Sequence, residues 1–146
     1  MNAKIAKVIK ETTPKRKIFK NCFQAFLSGG LICVFAQALI EGFKFFFGME
    51  KDMANNISIT IMVFLGALLT GIGLYDRLGQ YAGAGTIVPI TGFANSMTSS
   101  SLEYKSEGLV LGILTNTFKL AGSVIVVGVV SAYLVGTILY LFEVIF

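Results

Sequence analysis

The position of charge along this 146-residue chain constrains its fold more than any other feature. No Asp, Glu, Lys or Arg occurs in residues 23–40 or 57–75, and a third run, 109–146, holds only Lys119 and Glu143. Crossing a hydrocarbon core of about 30 Å takes roughly 20 helical residues, so the first two runs, of 18 and 19 residues, are each long enough to span. Lipid offers the backbone no hydrogen bonds, so an uncharged run at that depth folds as a helix. The whole chain agrees: 55% of residues are apolar and 14% charged, where soluble domains carry about 25% charged. The expected fold is all-α, a polytopic integral membrane protein.

Charge also sets orientation. Residues 1–20 hold Lys4, Lys7, Lys10, Lys15, Arg16, Lys17 and Lys20 against Glu11, so the formal net charge of +4 resides in the tail and the remaining body is slightly acidic. That pattern divides the chain into a basic cytosolic or membrane-surface tail, 1–20, and a helical membrane domain, 21–146. Ile5, Val8 and Ile9 at helical spacing among the lysines suit an amphipathic helix on an anionic bilayer; the plainer alternative is a solvated tail that only keeps its end in the cytosol. A basic face on the folded body, which phosphate neutralisation needs, is missing, so nucleic acid is not a partner. The Lys-rich start followed by an apolar run and Ala36-Gln37-Ala38 resembles a cleaved signal peptide. The apolar segment continues through Phe43 to Phe47, however, and everything after it is also apolar, so a retained first span is expected.

The first polar loop is expected over 42–56, with Glu41 and Lys44 paired on the last turn of span one. Span two is expected over 57–75, where Gly66 and Thr70 have the small-xxx-small spacing that lets helices approach closely. Residues 78–101 are different in kind. They are apolar, yet Gly79, Gly83, Gly85, Pro89 and Gly92 make a continuous helix improbable, and hydrocarbon tolerates broken backbone only where protein buries it or water reaches it. A short helix restarts near Thr91, with Thr91 as a candidate cap, and Glu103, Lys105 and Glu107 mark an aqueous boundary. This segment either dips in and returns or, with 109–118, crosses a fourth time. A helix over 109–142 would be about 51 Å long, well beyond the hydrocarbon thickness. Lys119 is expected to divide that run: snorkelling to the interface, it leaves 120–142 as the span and 109–118 as an interfacial or re-entrant piece. The other option buries the ammonium, which demands a partner. The topology is three to four spans with a Gly/Pro-rich broken or re-entrant segment.

Chemistry narrows the function. The chain has no His and only two cysteines, Cys22 and Cys33, so the commonest general base and a structural zinc site are both excluded. Gly79, Gly83 and Gly85 lack the ending of a phosphate loop. No catalytic residue, metal site or cofactor is expected, and the chain is not an enzyme. A conduit has better material. Backbone N–H groups at a glycine-rich turn and the start of a half-helix attract anions without a buried charge. The candidate path or gate residues are Gly83, Gly85, Pro89, Thr91, Gly92 and Asn95 in the broken segment. Asp76 and Arg77 before it, and Asn116 and Lys119 after it, complete the set. Arg77 and Lys119 supply positive potential near the mouths, and Asn95, Asn116 and Thr117 replace hydration. The alternative is an element that merely packs the bundle.

The run 66–77 ending Leu74-Tyr75-Asp76-Arg77, the run 82–96 with Thr91-Gly92-Phe93-Ala94-Asn95-Ser96, and Phe118-Lys119-Leu120-Ala121-Gly122-Ser123-Val124-Ile125 resemble the stage V sporulation AC family of endospore-forming bacteria. Asn21-Cys22-Phe23-Gln24-Ala25-Phe26 and Gly29-Gly30-Leu31-Ile32-Cys33 agree, so the resemblance extends over about residues 19–142. It implies a subunit of a complex that moves dipicolinic acid, with calcium, into the developing spore and releases it at germination. A channel that opens under membrane tension is implied, in the inner membrane of forespore and spore. The implied partners are the lipid bilayer, an AE-type membrane subunit and a soluble dipicolinate-binding subunit. A non-conducting scaffold that seats another pore-forming subunit is the alternative.

Overall fold

Each uncharged run forms a helix in the computed structural model, which describes residues 17–145. Helix α1 (Ile18–Phe47) and helix α2 (Lys51–Gly71) make a hairpin closed by three residues. The turn begins at Gly48, whose φ of 60° lies in the left-handed region, where a side chain would be strained. Residues equidistant from the turn meet: Ile32 and Phe35 of α1 share a groove with Met62 and Leu65 of α2. Glu41 pairs with Lys44 at 3.0 Å as its spacing predicts. The expected loop over 42–56 is wrong in extent, because α1 runs on to Phe47 and Lys51, Asp52, Asn55 and Asn56 belong to the first turns of α2. Polar residues mark where lipid ends, and a helix can continue past that boundary; Asp52 in the first turn also complements the positive helix end.

Ala54, Ser58, Met62 and Gly66, four residues apart, form the buried stripe of α2. Span two ends earlier than its uncharged run: Gly71 closes α2, and Gly73, with φ 75°, starts helix α3 (Leu74–Ala82), which takes Tyr75 with it. Gly83 (φ 53°) breaks the chain again before the four-residue helix α4 (Ala84–Ile87). Pro89, extended at φ −63° and ψ 159°, then precedes helix α5 (Ile90–Glu103). The proline has no N–H with which to continue α4, and its fixed φ suits the start of the next helix.

The direction of α5 decides the topology of the broken segment. Thr91 and Ala94 lie against Gly66, and Asn95 bonds Thr70, so α5 runs parallel to its neighbour α2. The chain therefore leaves α2 at Gly71, dips to the depth of Gly66, and returns toward the side from which it came. On the way into the dip Gly85 packs on the Ala25 carbonyl and the Ser28 hydroxyl of α1, and a Cβ on Gly29 would stand 3.2 Å from the Gly85 carbonyl. Of the two options open to this segment, dipping and returning is the one realised.

The charged residues expected to mark an aqueous boundary lie at the end of α5 and in an exposed 3₁₀ turn (Lys105–Glu107). Beyond Gly108 (φ 94°) one π-helical stretch (Leu109–Leu114) leads without interruption into helix α6 (Thr115–Ile145). The division at Lys119 is absent, and 109–118 is not a separate piece. Neither Lys nor Asn breaks a helix; a charge fixes the depth at which a helix sits, not where it stops. The irregularity falls at Gly112 instead, whose Cα side abuts the Tyr104 carbonyl. Among the described residues three helices are thus long and apolar enough to cross a membrane, Ile18–Phe47, Lys51–Gly71 and Leu109–Ile145. From Ser123 onward every described residue of α6 is exposed. Among the described residues there is no strand.

Candidate functional site

The broken segment encloses polar groups that none of the three spans could hold alone. Tyr75, buried on α3, donates its hydroxyl to the Thr86 carbonyl at 2.8 Å and lies 3.0 Å from the Thr91 hydroxyl. A helix as short as α4 leaves its last carbonyls without partners, and Tyr75 supplies one. Gly92 completes the joint from the other side by packing directly on the Thr86 and Ile87 carbonyls. The Thr86 hydroxyl donates to the Gly83 carbonyl at 3.0 Å, closing the turn on itself. Across the α2–α5 contact the Thr70 hydroxyl bridges the Gly66 carbonyl (2.7 Å) and the Asn95 side-chain amide (2.8 Å). No buried side-chain nitrogen or oxygen among the described residues is left without a partner.

Between α3, α4 and α5 this scaffold leaves an open cleft of about 470 Å³, within the size range of small-molecule sites, about 300–1,000 Å³. Asp76, Gly83, Gly92 and Asn95, all expected from the sequence, line it together. Gly85 and Pro89 face the opposite side, an apolar groove against Gly29 and Cys33 of α1. Thr91 is buried behind the cleft and does not cap α5, whose preceding residue is Pro89 and which has no side-chain cap; its hydroxyl is taken by Tyr75. Arg77 is exposed and lies outside the lining. Asn116 and Lys119 are on α6 and do not reach it either. Asn116 donates to the Gly112 carbonyl at 2.9 Å within its own helical stretch, and Thr117 shares a 2.9 Å hydrogen bond with Ser101 that ties α6 to α5. Lys119 is exposed.

Sequence reasoning missed Tyr75, Gln80 and Thr86, which line the same cleft. Their signal was present: each is a hydrogen-bonding side chain inside an apolar segment, where such groups need partners. A second polar cleft, of about 350 Å³, lies on the far side of α3 between Asn21, Gln24 and Gln80, and it shares Gln80 and Gly83 with the first. Among the described residues no group of three or more His, Cys, Asp or Glu could hold a metal ion. Cys22 and Cys33 are free and exposed.

The comparisons with known proteins agree with this architecture. A model of the SpoVAC/SpoVAEB sporulation membrane protein family matches residues 21–138. The chain is 56% identical over 135 residues to stage V sporulation protein AC of Bacillus subtilis (strain 168), an alignment that covers 92% of this chain and 90% of that protein. No solved structure matches it. A match that takes in both hairpin helices, the whole re-entrant segment and most of α6 places the chain: it belongs to the SpoVAC/SpoVAEB family of sporulation membrane proteins.

Proposed function

We propose that this chain is a non-enzymatic membrane subunit of the channel or transport complex that moves dipicolinic acid, with calcium, into the developing spore and releases it on germination. One observation carries the reading: a polar cleft built by a segment that turns back at the depth of two apolar spans. Broken backbone at that depth lines a watery cavity or is covered by protein, and transport proteins place their solute sites at such interrupted helices. The cleft is the proposed path or gate, with Asp76, Gly83, Gly92 and Asn95 on its wall and Gly85, Pro89 and Thr91 shaping the turn behind it. Arg77, Asn116 and Lys119 stay in the proposal only as groups near its approaches. The complex resides in the inner membrane of forespore and spore, opens under membrane tension, and includes an AE-type membrane subunit and a soluble dipicolinate-binding subunit.

The test is dipicolinate accumulation in sporulating cells. Gly85→Val drives methyl groups into the Ala25 carbonyl, and Gly83→Val forces a branched side chain to a φ of 53°. Both variants are expected to abolish accumulation at normal membrane level of the protein. Normal accumulation in both would remove the broken segment from the mechanism. One observation favours the second reading, a non-conducting scaffold: the exposed apolar faces of α6 from Ser123 onward offer a seat for another subunit. Purified chain in liposomes separates the two, since dipicolinate flux from the chain alone supports conduction and its absence with intact insertion supports the scaffold.

A further inference from the structure

The charge on the cleft wall has the wrong sign for a free anion. Among the described residues Asp76 is the one formally charged side chain in the lining; the other polar groups are Tyr75, Gln80, Thr86, Asn95 and Ser96, all neutral. The cations expected to draw an anion inward, Arg77 and Lys119, are both outside it. Asp76 has no ion-pair partner among the described residues. The cleft is open and Asp76 is exposed in it, but much of the wall is apolar, and an apolar wall concentrates the field of such a charge, enriching species of opposite sign and disfavouring those of the same sign.

On the transport reading above, the solute is a small dicarboxylate, a dianion at neutral pH. Bringing it past Asp76 collects three negative charges in a cleft of about 470 Å³, and neutral amides and hydroxyls do not offset that. Chelation by a divalent cation removes the conflict. The net charge of the solute falls to zero, and the cation meets the Asp76 carboxylate as an attractive group. Calcium takes about six to eight ligands, more than one planar dicarboxylate supplies, so a carboxylate oxygen from the wall can replace one of its waters. We infer that Asp76 is the specificity-determining residue of the cleft, and that the species it admits is the neutral divalent-cation chelate of the dicarboxylate rather than the free dianion. This inference rests on the proposed transport function.

The experiment measures uptake of labelled dipicolinate by membrane vesicles from sporulating cells, which hold the chain with the proteins it assembles with. Vesicles lacking the chain set the background, and uptake is compared with calcium present and with calcium removed by excess chelator. Wild-type uptake is expected to fall about tenfold or more without calcium. Asp76→Asn is expected to recover most of that loss by admitting the free dianion, and Asp76→Glu to keep the wild-type dependence, all at equal membrane level by immunoblot. Wild-type uptake indifferent to calcium, or an unchanged calcium dependence in Asp76→Asn, overturns the inference and leaves the transport reading standing. Loss of both forms in a normally inserted Asp76→Asn also overturns it, because Asp76 is then a general requirement and not a charge filter. Wild-type uptake no greater than background under either condition removes the transport reading itself, and the inference with it.

Discussion

Gly66 and Gly30 show that glycines on neighbouring helices can have opposite roles. A Cβ on Gly66 would stand 2.9 Å from the Thr91 carbonyl and 3.1 Å from the Ala94 Cβ, whereas one on Gly30 meets nothing within 4 Å. Gly66→Ala is therefore expected to cost about 1–3 kcal/mol by overpacking, and Gly30→Ala to be neutral or to stabilise by about 0.5–1 kcal/mol through helix propensity. Thermal unfolding of the two variants in one detergent measures both. A like effect of the two would mean that the α2–α5 contact is looser than described. Tyr75→Phe isolates a single hydrogen-bonding group. It retains the buried ring but leaves the Thr86 carbonyl without the bond that Tyr75 provides, and a buried acceptor left unsatisfied costs about 1–3 kcal/mol. Faster proteolysis within the α3–α5 segment, with α1 and α2 still protected, is the expected signature.

At the scale of elements, a charge in the sequence reports depth and a glycine or proline reports a break; the division expected at Lys119 fails because it takes the first for the second. Lys119 sits in uninterrupted helix, whereas Gly83 and Pro89 do end helices. The three spans were legible because a long run with almost no charge fits a membrane-crossing helix and little else. Their ends were less so: Lys51, Asp52, Asn55 and Asn56 are polar and helical at once. Whether the broken segment crossed or returned was not legible, because that depends on contacts between Gly66 and Thr91 and between Thr70 and Asn95, 25 residues apart in each case. Nor was the separation of Arg77 from Asp76, adjacent in the chain but divided by one step of helix rotation. Lys119→Gln is expected to leave dipicolinate accumulation near wild type, since the ammonium is exposed and lies off the cleft. A strong defect at normal membrane level would move α6 into the pathway.

For the whole molecule the central proposal is topological: three helices are long and apolar enough to cross, and the 74–103 segment, which turns back beside α2, is proposed to enter and leave the membrane on one side and to line a wet cleft. Side-chain packing within the chain buries one stripe of α2 and parts of the re-entrant segment, but leaves α1 without a buried residue and the last 23 described residues of α6 exposed, so lipid or other subunits must complete those parts of the fold. The most direct test is cysteine accessibility in membranes of sporulating cells, after Cys22 and Cys33 have been replaced. Single cysteines at Gln80, Ile87, Asn95 and Ser96, on the cleft wall, are expected to react with a membrane-impermeant reagent from the face that carries the Gly71–Leu74 turn, and a cysteine at Val88, off the cleft, to resist it from both faces. Labelling of Ile87 or Val88 from the opposite face would show that the segment crosses, and equal labelling of every position from the near face would show that it lies outside the membrane; either result contradicts the account.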